Sequence, residues 1–543
     1  MKRYFLLIPA FFTVFQVVAK KQTKVERPKL VVGIVIDQMR WDYLYRYNDL
    51  YGNGGFKRLM KDGFNCQNTM INYLPSFTAP GHSCIYSGSV PSIHGIAAND
   101  WVDNFKGKSV YCTDDTVHEV NNGVVGATSM SPRNLLVTTI TDELRLATNF
   151  HSRTYGISIK DRGAILPAGH LANGAYWLDD TTGSFCSSTY YKNTNPAWLQ
   201  TFNKRRLADS LIKLTWTLLD PTGKIYTQSL ADDNRYEGKF KGELTPVFPH
   251  DLNKLKGKDR YNSFKATPGG NYLTLQMAIA CRDGEHMGES EETDFLAVSF
   301  SSTDYTGHLF GPNSIEVEDA YLRLDMDIAA LLNYLDKTVG KGDYLVFLTA
   351  DHGAAHNPQF LADNAVPAGF VSGDLKKELN IRLKNEYGYE KIISHYTNYQ
   401  FYLNDSLITT ANLDRNKIKE TLTTLLNAKP ELQYVVDMEN LNRTAVPEPI
   451  RTMLVNGYYR GRSGSIQVIP AAGWFEGHSK TGTTHGTWNP YDAHIPLLWY
   501  GWNIPKGETN EVVNMTDISA TLAALLHIQM PNGCVGKPII MAK

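Results

Sequence analysis

Three apolar runs in this 543-residue sequence each lead into an aspartate, and two of the three aspartates have a histidine close by. LVVGIVI (30–36) runs into Asp37, FLAVSF (295–300) into SSTDYTGH with Asp304 and His308, and YLVFLT (344–349) into ADHG with Asp351 and His352. One such Asp would read as a turn or cap residue. Three, two of them with imidazole, are harder to read that way. Asp304 and His308 stand four apart, so a single helical turn would aim both side chains the same way. His485 lies in the Gly/Thr-rich stretch TGTTHGTWNPYDAH ahead of IPLLWY, where a loop can hold a ligand without helical constraint. Carboxylate and imidazole together suit Zn²⁺. Asp304, His308 and His485 make one three-ligand set, and Asp37, Asp351 and His352 make another, each with a position left open for a substrate or nucleophile.

The stretch SFTAPGHS supplies a candidate nucleophile, Thr78. Thr is a favoured helix N-cap and Pro80 fits a first turn, so capping is its ordinary reading. The same place suits an alkoxide or a phosphate, because unpaired amides and the helix dipole favour negative charge. A threonine hydroxyl is a poor nucleophile at neutral pH, and there is neither a G-x-S-x-G elbow nor a Ser-His-Asp ordering to activate one. A metal on the oxygen would lower its pKa, and two metals would stabilise both the entering and the leaving oxygen of an in-line displacement. Phosphoryl transfer also needs cations or donors around the equatorial oxygens. Lys160 and Arg162 in SIKDRGA would face one side if the chain there is extended; an exposed turn is their ordinary reading. Asn99 in IAANDW could donate an amide to the same oxygens, or be a turn residue. His82, His94 and His356 read as packing or supporting groups, and Asp325 and Asp327 as the solvated face of a helix.

These residues need a scaffold that brings strand ends together. Buried-strand patterns at 30–36, 154–159, 295–300 and 344–349 alternate with amphipathic segments, the clearest being IEVEDAYLRLDMDIAALLNYLDKTV. That alternation predicts an α/β fold with a mostly parallel central sheet covered by helices on both faces, and ligands beyond the carboxyl ends of the strands. Two stretches, near 173–270 and 370–473, break the rhythm and read as insertions or a cap. NMTDISATLAALLHI reads as a C-terminal helix with Thr516 as N-cap. No internal repeat argues for a solenoid.

Composition narrows the partners. With 54 basic and 55 acidic residues the net charge is -1, which argues against an electrostatic nucleic-acid binder, so phosphate recognition must be local. The start, MKRYFLLIPAFFTVFQVVAKKQ, has the basic and apolar parts of a secretory signal ending near residue 19; its apolar run is interrupted and short for a membrane span. Six scattered cysteines show no C-x-x-C pair, which leaves disulfides and buried thiols as equal readings.

Taken together, Asp37, Thr78, DYTGH, ADHG and His485 resemble the alkaline phosphatase superfamily. More closely, RPKLVVGIVIDQMRWDYLYRY, GSVPSIHGIAANDW, KSVYCT, SPRNLL, ILPAGH, FGPNSIEVED and DHGAAH resemble the secreted, phosphate-irrepressible bacterial type over nearly the whole mature chain. The resemblance implies a phosphate monoesterase with two Zn²⁺ that works through a phospho-threonine intermediate. It implies one zinc on Asp304, His308 and His485, the other on Asp37, Asp351 and His352 beside Thr78, with Asn99, Lys160 and Arg162 on the phosphoryl oxygens. Ser is the nucleophile of the better-known alkaline phosphatases, which also bind Mg²⁺; here Lys160 would take that ion's role, with no Mg²⁺ requirement. The expected protein is a single catalytic domain over 20–543, a periplasmic monomer without membrane anchor or nucleic-acid partner, acting on small phosphate monoesters. The rivals are a phosphodiesterase of the same superfamily, a sulfatase, disfavoured by Thr78 and the lack of a nearby Arg, and a non-catalytic zinc-stabilised glycan-binding protein.

Overall fold

A computed structural model describes residues 25–119, 129–477 and 480–541. The signal-peptide expectation, residues 1–19, lies outside the described residues. The four predicted strands all form, and each is fully buried. They belong to a ten-stranded sheet in which Leu30–Ile36 lies between Asp294–Phe300 and Tyr344–Thr349, parallel to both. Thr154–Ser158 pairs parallel with the far side of Asp294–Phe300. Burial on both faces explains why these strands are continuous β-branched and aromatic runs without alternation.

Register places the strand ends. Val35 is opposite Thr349 and Ile36 opposite Phe300, so Asp37, Asp351 and the turn leading to Asp304 leave the sheet on one rim. Ser158 is opposite Ser299, which brings Lys160 to the same rim. Leu497–Gly501 runs antiparallel to Tyr344–Thr349, with Leu497 opposite Thr349. Its beginning therefore sits where its neighbours end, and the preceding loop with His485 hangs over the rim.

One expectation needs correction. The stretch predicted as a first insertion, 173–270, opens with sheet: Gly174–Leu178 pairs parallel with Thr154–Ser158, and Phe185–Cys186 forms the edge. GAYWL is short and mixed in character, so its pattern carried no strand signal. The second stretch, near 370–473, builds a separate antiparallel sheet of Ile393–Thr397, Gln400–Leu403, Ile466–Pro470 and Leu432–Asp437 over its own apolar cluster. All six cysteines are free thiols, five of them buried. Thr516 precedes the helix Asp517–Leu526 but makes no side-chain cap bond.

The long helix Ile315–Leu335 also departs from its sequence reading, because its acids are buried. Asp325 accepts hydrogen bonds from the backbone N–H of Gly52 (2.8 Å) and of Phe56 (2.7 Å), capping the helix Phe56–Asp62 from another part of the chain. Asp327 is buried too, and burial pushes its carboxyl up to about 7. Glu316 sits 3.2 Å from Nε2 of the buried His250, whose Nδ1 is 2.9 Å from Glu243. Periodicity distinguished apolar from polar positions on this helix, but an inserted segment covers Glu316, Glu318 and Asp319, and the turn at 52–56 covers Asp325.

Two measurements test this packing. Asp325→Ala strands the buried Phe56 N–H and removes the partner of the Gly52 N–H, and should lower unfolding stability by about 1–3 kcal/mol in urea titrations, with Asp325→Asn less damaging. Burial pulls the His250 imidazolium down, but Glu243 and Glu316 outweigh it and raise its pKa from 6.5 to about 9. A raised basic group stabilises the fold fully below its unfolded pKa and loses that contribution as pH rises through the folded value. The stability gap between wild type and His250→Gln should therefore be widest below about pH 6.5 and close toward about pH 9, read from thermal unfolding across pH.

Candidate active site

Thr78 is the first residue of the helix Thr78–Ser87, and extended Phe77 occupies the cap position. The cap reading of Thr78 thus fails. Its Oγ1 instead lies 3.4 Å from His352 Nε2. Ala79 N–H donates to Asn99 Oδ1 at 2.8 Å, so the acceptor end of that amide is taken and its N–H donors remain for a ligand.

Two overlapping buried groups of Asp and His stand beside this helix start. Asp37, Asp351 and His352 form one, and Asp304, His352 and His485 the other; within each, one ligand atom per residue lies within 4.8 Å of the rest. The rings of His352 and His485 are stacked with centroids 3.4 Å apart. His308 joins through Asp304, its Nε2 3.1 Å from Oδ1, while its Nδ1 is held 2.8 Å from the Thr483 carbonyl. His485 Nδ1 is held likewise, 2.7 Å from the Ser76 carbonyl, which leaves its Nε2 to face Asp304 at 3.8 Å. Holding one ring nitrogen on a carbonyl orients the other as a donor atom for a metal.

Charge in this site is unbalanced. Three buried aspartates face one buried ammonium: Lys160 Nζ donates to Asp37 Oδ2 at 2.7 Å and to Asp304 Oδ2 at 2.6 Å. Burial, reinforced by Asp351, pushes Asp37 up to about 7 against the pull of Lys160. Burial also pulls Lys160 down, but Asp304 and Asp37 outweigh it and hold the ammonium above its ordinary pKa. Asp37 Oδ1 is buried without a hydrogen-bond partner, and Asp351 Oδ2 has only the His82 ring at 3.3 Å, which the Thr78 carbonyl also engages. Acceptor-only oxygens so short of donors, set among imidazoles, fit a divalent cation.

Lys160 and Arg162 do not face one side of an extended strand. Lys160 is the extended residue before the helix Asp161–Ala168, and Arg162 lies in its first turn. That helix packs on Thr78–Ser87. Its Nη1 donates to Tyr111 Oη at 3.1 Å, and Tyr111 in turn donates to Asp161 at 2.9 Å. Arg162 Nε is buried with no acceptor, as a donor awaiting an anion would be.

Sequence reasoning passed over Gln38. It has a positive φ of 66° and is buried; its backbone N–H donates to Asp351 Oδ1 (3.1 Å) and its side-chain amide to Asp304 Oδ1 (2.8 Å). Left-handed backbone is costly for a side chain other than glycine and persists where surroundings over-determine it. A Cβ at Gly307 would collide with the Gln38 amide oxygen, so Gly307 makes room for it. The only sequence signal was its place directly after Asp37. His82, read as a supporting group, lies with Nδ1 2.9 Å from the Thr78 carbonyl and 3.3 Å from Asp351 Oδ2. His94 and His356 fall in neither Asp/His group.

The type I phosphodiesterase / nucleotide pyrophosphatase family model matches residues 31–492. Alkaline phosphatase PafA of Elizabethkingia meningoseptica is 50% identical over 96% of this chain and 95% of its own. A Myroides odoratus protein named calcium-transporting ATPase is also 50% identical, over 98% of both chains. The crystal structure of wild-type PafA superposes with a TM-score of 0.91 at 49% identity, covering 95% of this chain and all of that one. The chain belongs to the alkaline phosphatases of this family, and so to the phosphate monoester hydrolases.

Gln38 ties both Asp/His groups together. Gln38→Ala should lower kcat/KM for an aryl phosphate by about 10–100-fold, measured by steady-state kinetics on protein whose circular dichroism matches wild type.

Proposed function

We propose that this alkaline phosphatase uses Thr78 as nucleophile and two Zn²⁺ as cofactors, and that it is exported to the periplasm. The observation that carries the reading is Thr78 Oγ1 at 3.4 Å from His352, on the edge of two buried Asp/His groups that share that histidine. One zinc would be held by Asp37, Asp351 and His352, the other by Asp304, His308 and His485. When bound, they would supply Lewis acidity to the Thr78 hydroxyl and to the departing oxygen.

The chain's own residues do the rest. Thr78 Oγ1 attacks phosphorus as the bond to the alcohol oxygen breaks, and the alcohol leaves with a proton; water then releases phosphate from Thr78. Asn99 N–H and Arg162 receive the equatorial oxygens. Lys160, already shared by Asp37 and Asp304, holds these carboxylates together and stands in for a third cation, so added Mg²⁺ is not needed. Discrimination for a dianionic monoester over a diester thus rests more on Arg162 with Asn99 than on Lys160. ATP hydrolysis, suggested by the name of the Myroides relative, would draw on the same cluster.

The test combines metal and nucleophile. A chelator should abolish hydrolysis of an aryl phosphate, Zn²⁺ should restore it, and Thr78→Ala should stay inactive with Zn²⁺ present. Acid-quenched wild type should carry phosphate on Thr78 by mass spectrometry. Turnover of the aryl methyl phosphodiester exceeding that of the monoester would overturn the monoesterase reading, and an active Thr78→Ala would overturn the nucleophile.

A further inference from the structure

An open pocket of about 360 Å³ adjoins the site, walled by Tyr305 and His308 on one side and by Lys239, Lys241, Asn262 and Ser263 on the other. Its second wall is firmly placed. Gly238 N–H donates to the Leu309 carbonyl at 2.8 Å, and the ring of buried Phe240 meets Phe310 edge-on with centroids 5.4 Å apart. With Phe240 turned inward, the flanking Lys239 and Lys241 are left in solvent. Lys241 pairs with Asp259 at 2.6 Å, whereas Lys239 Nζ donates to the Leu244 carbonyl at 2.9 Å and, among the described residues, forms no ion pair.

The pocket meets the site at its Asp304 end, through His308. Thr78 stands against His352, next to Asp37 and Asp351, and in-line displacement expels the alcohol oxygen on the side opposite the nucleophile. With Thr78 beside the Asp37 group, that side would be the Asp304 and His308 end of the site. His308, 3.1 Å from Asp304 and with its side chain 37% accessible, lines this pocket.

Resting on the reading of Thr78 and the two Asp/His groups, we propose that the pocket is the subsite for the alcohol part of the substrate, and that Lys239 and Lys241 select monoesters whose alcohol carries a second anionic group, a carboxylate or another phosphate. Asn262 and Ser263 add uncharged polar contacts suited to hydroxylated carbon chains. A cavity of this size takes a small phosphorylated acid or sugar.

Glycerol 1-phosphate and 3-phosphoglycerate differ by the carboxylate alone and make the test. With the zinc-loaded full chain, kcat/KM should be about three- to tenfold higher for the acid, through KM, a size set by solvent-screened charge pairs. Raising the salt concentration should shrink the ratio, and the Lys239→Ala/Lys241→Ala double variant should bring it to about one. Hydrolysis of glycerol 1-phosphate with no preference for the acid, or a preference unchanged in the double variant, overturns the subsite while leaving the phosphatase reading intact. If neither ester is hydrolysed, the catalytic reading fails and the subsite falls with it.

Discussion

The site depends on one buried arrangement: the Lys160 ammonium held between Asp37 and Asp304 at the rim of the sheet. Taking charges out of water is expensive, and a buried pair is tolerable only when its geometry is good and its remaining atoms are satisfied. Here one cation faces three buried carboxylates, and Asp37 Oδ1 has no hydrogen-bond partner. The surplus negative charge is the feature that most strongly fits a bound cation.

Such a concentration of charge requires a scaffold that cannot relax. The parallel strands meet that need because their register, not any side-chain preference, decides which residues emerge together. The antiparallel Leu497–Gly501 strand then delivers His485 from the opposite chain direction. Backbone carbonyls of Ser76 and Thr483 fix the imidazoles, and Gln38 accepts an unfavourable φ to join Asp304 to Asp351. Insertions contribute too: the segment carrying His250 buries acids of the long helix and presents Lys239 and Lys241 beside His308.

Much of this was legible in advance. Buried strands announce themselves as apolar β-branched runs, and an acid within a few residues of such a run's end belongs to the ligand-binding rim of a parallel sheet, so Asp37, Asp304 and Asp351 could be singled out, the last two with their histidines. Gly174–Leu178 was not legible because five mixed residues carry no periodicity. Asp325 was misread because helical spacing separates faces without saying what covers them. Thr78 was ambiguous for a similar reason: the residue that occupies the cap position is settled by the turn of the chain at Phe77.

The sequence by itself determined the fold class, the family and the types of group available for chemistry, because these follow from local pattern and from the residues at strand ends. Only the tertiary structure decided which carboxylates share Lys160, that His352 stands in both Asp/His groups, that Arg162 hangs on Tyr111, and that His308 opens onto a pocket. Those facts join residues far apart in the chain. Their distances depend on strand register and helix packing summed over the whole core, which no local stretch encodes.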